Sequence, residues 1–301
     1  MIKKGMSTIR KKIDNVILHI LKAVAPLIKS DEQYIKMRYH VSMHKKLNLT
    51  SPQTFNEKLS WLKLHAYNPQ YSVLVDKYAV KEYVASKIGE EYIIPTIGVF
   101  DSMDDVDFKK CPPQFVIKCT HDSQSTIVVK DKNVFNEKKT RAKLNKCLKQ
   151  NFFWSTREYP YKDVKPRIII EEYIEDKTGG GLNDYKFFCF NGVPKLMFIA
   201  TGRPVNTCFD FYDMDFNHID LKQGHPNSSK RIQKPEGWDE MIKLASILSK
   251  GYPHVRVDFY NINGKVYFGE LTFFHFGADM PFEPNSWDLK MGEWLELPKV
   301  D

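Results

Sequence analysis

Apolar positions in the first thirty residues recur with a helical period: Ile9, Ile13, Val16 or Ile17, Ile20, Val24 and Leu27 fall along one side of a helix with a basic start. After a polar break at 48–53, the stretch 55–65 repeats that spacing, and 76–88 (DKYAVKEYVASKI) repeats it more strongly, stopping at Gly89. The period then changes. A run over 93–100 containing Pro95 reads as a strand leading into a loop, and short apolar runs follow: FVIKC (115–119), TIVVK (126–130), RIIIEEYI (167–174), DYKFFCFNG (184–192), LMFIAT (196–201) and FDFYDMDF (209–216). Helices are predicted near 136–151 and 237–250. The sequence has no internal repeat, and Lys177-Thr178-Gly179-Gly180-Gly181 reads as a flexible connection, a hinge between a small β-rich part and a larger core.

The stretch VRVDFYNINGKVYFGELT (255–272) sets two carboxylates inside apolar runs about a turn at 261–264. A three-residue loop ending at Gly264 pairs Asp258 with Phe268. Alternation then puts Arg256, Asp258, Tyr260, Phe268, Glu270 and Thr272 on one face, and Val255, Val257, Phe259, Tyr267 and Leu271 on the other. Two neighbouring carboxylates repel unless a cation lies between them. A hard divalent ion meets that need, since Mg²⁺ is held by one or two carboxylates plus substrate phosphates. An Arg256 salt bridge on a solvated hairpin face is the competing reading.

Other polar residues in apolar strands raise the same question. Lys118 in FVIKC needs an anion, and the following THDSQST (120–126) offers hydroxyls and loop amides to phosphate oxygens, although it has no glycine; a plain hairpin with an exposed lysine also fits. IIIEEYIED (168–176) begins as a buried strand and ends acidic, which suits either a purine edge or an exposed strand end. Asp184 and Lys186 add a polar pair to an aromatic strand. These residues supply a cation set (Lys77, Lys118, Lys186, Arg256) and an acid set (Asp258, Glu270) in an order suited to a nucleoside triphosphate.

Composition narrows the partners. With 301 residues and 42% hydrophobic content the chain supports a real core, as one large or two modest domains. The net charge of +8 is concentrated: residues 1–46 hold eleven basic residues against Asp14, Asp31 and Glu32. The balanced remainder speaks against nucleic acid as a partner. Five cysteines without a CxxC pair indicate neither a disulfide framework nor a zinc site and fit a reducing cytoplasm. The apolar run at 16–28, interrupted by His19 and Lys22, is too short to span a bilayer. A basic amphipathic helix suits either a peripheral membrane contact through residues 1–29 or packing on its own domain or a second subunit, as in a homo-oligomer.

The order Asp76-Lys77, FVIKC, IIIEEYI, DYKFFCFNG, then RVDFY with YFGELT resembles the ATP-grasp superfamily, and within it the TupA-like branch of teichuronopeptide, capsule and surface-polysaccharide biosynthesis. The resemblance runs from about residue 55 to 298 and leaves 1–50 outside. It implies an α+β ATP-grasp fold, with the nucleotide held between a small β-rich lid and a larger α+β core. The implied division is a basic amphipathic helical segment (1–50), a helical part of the core (51–109), a lid (110–175) that closes to exclude water, and a core with the metal site (176–301). It further implies ATP and Mg²⁺ as cofactors. Lys77 and Lys118, with Ser123 and Ser125 of the loop, would meet phosphates, Glu171, Glu172, Tyr173 and Ile174 the adenine, and Glu175 or Asp184 the ribose. Lys186 would lie near phosphate or the acceptor, Asp258 and Glu270 would bind metal, and Arg256 would steady the reacting group. The implied reaction is amide formation between an amino acid or amine and a carboxylate, such as a uronic acid, through an acylphosphate, in the cytoplasm or at the inner membrane face. A sugar kinase, or a nucleotide-binding scaffold with weakened catalysis, are the alternatives. Two departures stand out: Thr272 occupies the place where the superfamily commonly has Asn as a third metal ligand, and FFHFG (273–277) is bulky for a loop beside substrate.

Overall fold

The computed structural model describes residues 2–123, 125–176, 182–203 and 205–299, so the expected hinge at 177–181 lies outside the described residues. Its helices are Ile2–Val24 (α1), Asp31–Met43 (α2), Phe55–His65 (α3), Gln70–Val75 (α4), Ala79–Ile88 (α5), Glu137–Leu148 (α6), Phe153–Thr156 (α7), Trp238–Ser249 (α8) and Ser286–Trp294 (α9). Its strands are Thr96–Phe100 (β1), Phe115–Cys119 (β2), Ile127–Val129 (β3), Ile168–Glu172 (β4), Asp184–Phe190 (β5), Val193–Thr201 (β6), Cys208–Tyr212 (β7), His218–Ile219 (β8), His254–Ile262 (β9) and Lys265–Thr272 (β10). They form an α+β fold of two compact units.

One unit is helical and gathers Met1–Tyr67, Phe153–Tyr159 and Phe274–Asp301. Local capping explains where its helices begin. Ser30 accepts a hydrogen bond from the Gln33 amide at 3.2 Å to open α2, and Thr54 with Glu57 forms a reciprocal capping box that opens α3. Helix α3 packs on α9 at backbone distance. Gly292 permits this, because a Cβ there would sit 2.0 Å from the Gln53 carbonyl oxygen and 2.9 Å from the Phe55 nitrogen. The short segment around α7 is tied in by Arg157, whose Nη2 donates to the carbonyls of Ala25 at 2.7 Å and Ile28 at 2.9 Å while its guanidinium lies over the rings of Tyr34 and Trp154.

The other unit, Asn68–Phe152 with Pro160–Phe273, holds both sheets, and all their pairings are antiparallel. The smaller has the order β1-β4-β2-β3 and buries Phe115, Ile117, Ile168 and Ile170 beneath α6 and the loops before β2. The larger has the order β10-β9-β5-β6-β7-β8. Helix α8 covers one of its faces, where the rings of Phe187 and Trp238 lie 5.5 Å apart. Strand β5 is buried at all seven positions, so its polar residues have cover on the second face as well.

Three local expectations are corrected. The helix expected over 76–88 begins at Ala79, because Asp76 is extended and its Oδ1 accepts from the amides of Tyr78 and Ala79 at 2.8 and 3.1 Å, leaving Lys77 in the turn after α4. Strand β1 begins at Thr96, immediately beyond Pro95, which has no amide to give a ladder. The hairpin turn is also tighter than expected. Asn263 and Gly264 both have positive φ, 52° and 82°, as a two-residue loop requires, and Lys265 pairs with Ile262. A bulge at Gly269 then shifts the ladder, so Asp258 lies opposite Glu270 and Phe268 opposite Phe259.

Gly292→Ala should destabilise the protein by about 1–2 kcal/mol in urea unfolding, because the backbone clash outweighs the helix-propensity gain of about 1 kcal/mol. A neutral or stabilising result would show that α3 and α9 do not meet at this distance.

Candidate functional site

In the smaller sheet, Glu171 on β4 pairs with Thr96 of β1 on one side and Val116 of β2 on the other. Its buried carboxylate takes the Lys81 ammonium on Oε1 at 2.6 Å and the Lys118 ammonium on Oε2 at 2.5 Å. This is the anion that Lys118 requires. Burial acts to raise the Glu171 carboxyl, but Lys118 and Lys81 outweigh it and hold it below its ordinary 4.5. Lys81 also donates to the Ile94 carbonyl at 2.7 Å and Thr96 Oγ1 at 2.8 Å, fixing the entry to β1.

In the larger sheet, Arg256 and Asp258 stand two apart on β9 and bond bidentately, Nε to Oδ1 and Nη2 to Oδ2, each at 2.7 Å. Strand β5 brings Lys186 directly opposite Asp258, and its ammonium reaches Oδ2. Strand β10 supplies Glu270 and Thr272, whose Oε1 and Oγ1 each lie 3.0 Å from Arg256 Nη2. Asp184 closes the cluster, 3.7 Å from Lys186 and 2.5 Å from Arg203. Burial disfavours the Arg256 charge, yet Asp258, then Glu270 and Asp184, more than offset it and the guanidinium stays protonated. Burial likewise pushes the Glu270 carboxyl up, while Lys186, Arg256 and Lys77 draw it down to about 2. Tyr260, opposite Asp184, is kept as a neutral phenol first by that carboxylate and then by burial.

A cleft within this unit contains the Glu171 group and reaches Tyr260 and Gly269 of the hairpin that carries Asp258 and Glu270. Lys77, Lys81, Lys118, Glu171, Glu172, Tyr173 and Ile174 line it, with Val116, Val128, Tyr260 and Phe268 as apolar walls. The Lys77 ammonium donates to the Asp122 carbonyl; burial weakens its charge, and Glu270 supports it. Beyond Glu172 the chain leaves β4, so backbone at 173–174 runs along the cleft rather than in a ladder.

Residues 57–296 match the TupA-like ATPgrasp family. The chain belongs to that family. No curated protein matches it. Among solved structures it is similar to D-alanine–D-alanine ligase from Helicobacter pylori, at 14% identity and a TM-score of 0.39, over 79% of this chain and 62% of that one. It is also similar to the Bacillus anthracis ligase complexed with ATP, at 14% identity and 0.37 over 79% and 62% of the chains. A third is D-cycloserine synthetase DcsG, at 15% and 0.38 over 76% and 72%. The chain thus spans 62% of the length of the two D-alanine–D-alanine ligase structures.

In this TupA-like ATP-grasp chain the expected site residues fall into three places. Lys77, Lys118, Glu171, Glu172, Tyr173 and Ile174 line the cleft. Asp184, Lys186, Arg256, Asp258 and Glu270 form the ionic cluster. Ser123, Ser125 and Glu175 are not among the residues lining the cleft. Ser123 is exposed, Ser125 is buried with its Oγ accepting from the Cys119 amide at 2.7 Å and donating to Asp122, and Glu175 is bridged at 2.9 Å by Lys130. Sequence reasoning did not find Lys81 or Arg203. Lys81 reads as one more polar position on α5, and only its folded approach to Glu171 reveals it.

Glu171→Gln removes the carboxylate from two lysines and should cost about 3 kcal/mol of stability near neutral pH. Because the folded carboxyl lies below its ordinary 4.5, this contribution is fully present above that value and is lost as pH falls beneath it. Urea unfolding of both proteins should therefore show a gap that narrows from about pH 7 to about pH 3.5. A gap independent of pH would refute the pairing.

Proposed function

We propose that this TupA-like ATP-grasp protein is an ATP- and magnesium-dependent carboxylate–amine ligase, which activates a carboxylate as an acylphosphate and transfers the acyl group to an amine. The observation that carries the reading is the Arg256–Asp258–Lys186–Glu270 cluster, electrostatically coupled through Lys77 to a lysine-lined cleft. The substrate class follows from the resemblance to surface-polysaccharide enzymes: a uronic acid of a capsular, teichuronopeptide or O-antigen glycan as the acid, and an amino acid as the amine.

The chain's residues divide the work. Lys77 and Lys118 neutralise phosphates as point charges, and the backbone at 172–174 receives the base. Lys186 and Arg256 offset the charge on the transferring phosphoryl group, so that positioning and electrostatics supply most of the rate. Exclusion of water protects the acylphosphate until the amine attacks.

Asp258 and Glu270 fit magnesium by donor chemistry, since both are hard oxygen donors on one face and each keeps acceptor capacity beyond its cation contacts. Magnesium, when bound, supplies neutralisation of the phosphates. Among the described residues no group of three or more His, Cys, Asp or Glu is arranged to hold a metal. With one or two carboxylates as protein ligands, waters and phosphate oxygens would complete the ion's shell, and magnesium should bind more tightly together with nucleotide than alone.

Product analysis tests the reading. The protein should release ADP and inorganic phosphate only when a carboxylate is present, form amide only when an amine is added, and pass ¹⁸O from the carboxylate into phosphate. A stable phosphosugar without free phosphate would establish a kinase, AMP with pyrophosphate an adenylating enzyme, and nucleotide binding without any product a scaffold. Glu270→Gln, at a partly exposed position, should fold normally and lower magnesium-dependent turnover at least ~100-fold. Asp258→Asn should also lose stability, because it strips a buried arginine and lysine of their shared anion. Full activity in Glu270→Gln would reject the metal assignment.

A further inference from the structure

Helix α1 presents a continuous aliphatic stripe that the unit containing it does not cover. Ile9 is 61% exposed, Ile13 54%, Val16 59% and Ile20 57%, and the stripe extends through Ile17 to Leu27 just past the helix end. Helix α1 packs on α2 from a different side, where Leu18 and Leu21 are half-buried and Asp14 approaches His44 at 3.3 Å. The stripe is therefore not the face by which the helix joins its own unit. At 3.6 residues per turn, Arg10 and Lys12 flank it on either side, with Lys11 and Lys22 further round. Asp14 is the one acidic residue between residues 9 and 29. Residues 9–29 carry Arg10, Lys11, Lys12, Lys22 and Lys29 against Asp14, so the segment that bears the exposed stripe is itself basic.

We propose that α1 docks the protein on an anionic bilayer surface, lying in the interface plane with Ile9, Ile13, Val16 and Ile20 among the upper acyl chains and its lysines and arginine at the headgroups. Both halves of the pattern are needed for this. Aliphatic side chains more than half exposed at four successive positions along one helix face favour an apolar partner, and the basic rim selects a negatively charged one. Nucleic acid would use the charge and leave the aliphatic stripe in water. Among the described residues no helix is long and apolar enough to cross a membrane, so the contact is peripheral. The proposal does not depend on the reaction assigned to the nucleotide cleft.

Co-sedimentation of the full chain with vesicles tests it. Partitioning onto phosphatidylcholine vesicles containing about one-third phosphatidylglycerol should exceed that onto pure phosphatidylcholine at least ~10-fold, and raising salt from ~0.1 to ~0.5 M should release most of the bound protein. Ile13→Glu combined with Ile20→Glu should abolish binding to both vesicle types with helicity retained. Lys11→Gln with Lys12→Gln, which leaves the stripe intact, should reduce the preference for anionic vesicles several-fold. Equal binding to both vesicle types, no binding to either, or full binding by the Ile13/Ile20 variant overturns the proposal. Self-association in lipid-free sedimentation velocity that the same variant removes would assign the stripe to a second copy instead and equally overturn it.

Discussion

The bidentate pair between Arg256 and Asp258 is the interaction on which the larger sheet's architecture turns. Both side chains are buried in strands whose neighbours are Phe, Val and Tyr, and an unmatched charge at that depth costs several kcal/mol. The sheet meets the cost by register. Strand β5 places Lys186 against Asp258, and strand β10 places Glu270 against Asp258 and Thr272 against Arg256. The last alignment depends on the Gly269 bulge, because without the extra residue the ladder set by the tight Asn263–Gly264 turn would bring Gly269, and not Glu270, opposite Asp258. Gly269 is also suited to the position by lacking a side chain, since a Cβ there would lie 3.0 Å from the Asp258 carbonyl oxygen.

The smaller sheet solves the same problem with opposite stoichiometry. There one carboxylate, Glu171, serves two lysines from different elements, Lys81 of α5 and Lys118 of β2, so it fastens that helix to the sheet at the point where β1 begins. Lys77 adds a third ammonium to the same cleft, with a carbonyl as its contact. The cleft therefore carries more positive than negative charge at its centre, whereas the Asp258 cluster is nearly balanced.

Much of this was legible in the sequence because the physics is local. A helical period alone places α3 at 55–65, and alternation along 255–272 puts Arg256, Asp258, Glu270 and Thr272 on one face whichever of the two registers holds. Lys118 could be singled out because an ammonium in FVIKC demands an anion. Its partner could not be named, since Glu171 is more than fifty positions away and looked free to meet a base. The bulge was hidden for a related reason: a glycine in a strand marks a bulge only once the partner strand is known. Ser123 and Ser125 show what a sequence cannot separate: both read as hydroxyls for phosphate, while in the fold one is exposed and the other bonds to Cys119 and Asp122.

The contrast between the two groups bears on the order of events at the proposed site. In the Asp258 cluster the Asp258 carboxylate accepts from Arg256 at both oxygens and from Lys186 at one, so a divalent cation arriving there alone would have to compete with two buried positive charges and would be repelled by them. A triphosphate arriving in the lysine-rich cleft faces the opposite situation, because Lys77 and Lys118 attract it and the Glu171 carboxylate can share its two lysines without losing both. In the proposed reaction, phosphate oxygens lying against Lys186 and Arg256 would give those cations a second anion to satisfy and loosen their hold on Asp258. Under the proposed function, nucleotide and magnesium would favour each other's binding, because the resident cations guard Asp258 until phosphate shares their charge. The same guarding explains how three carboxylates can sit so close together in a protein that must fold before it meets its ligand.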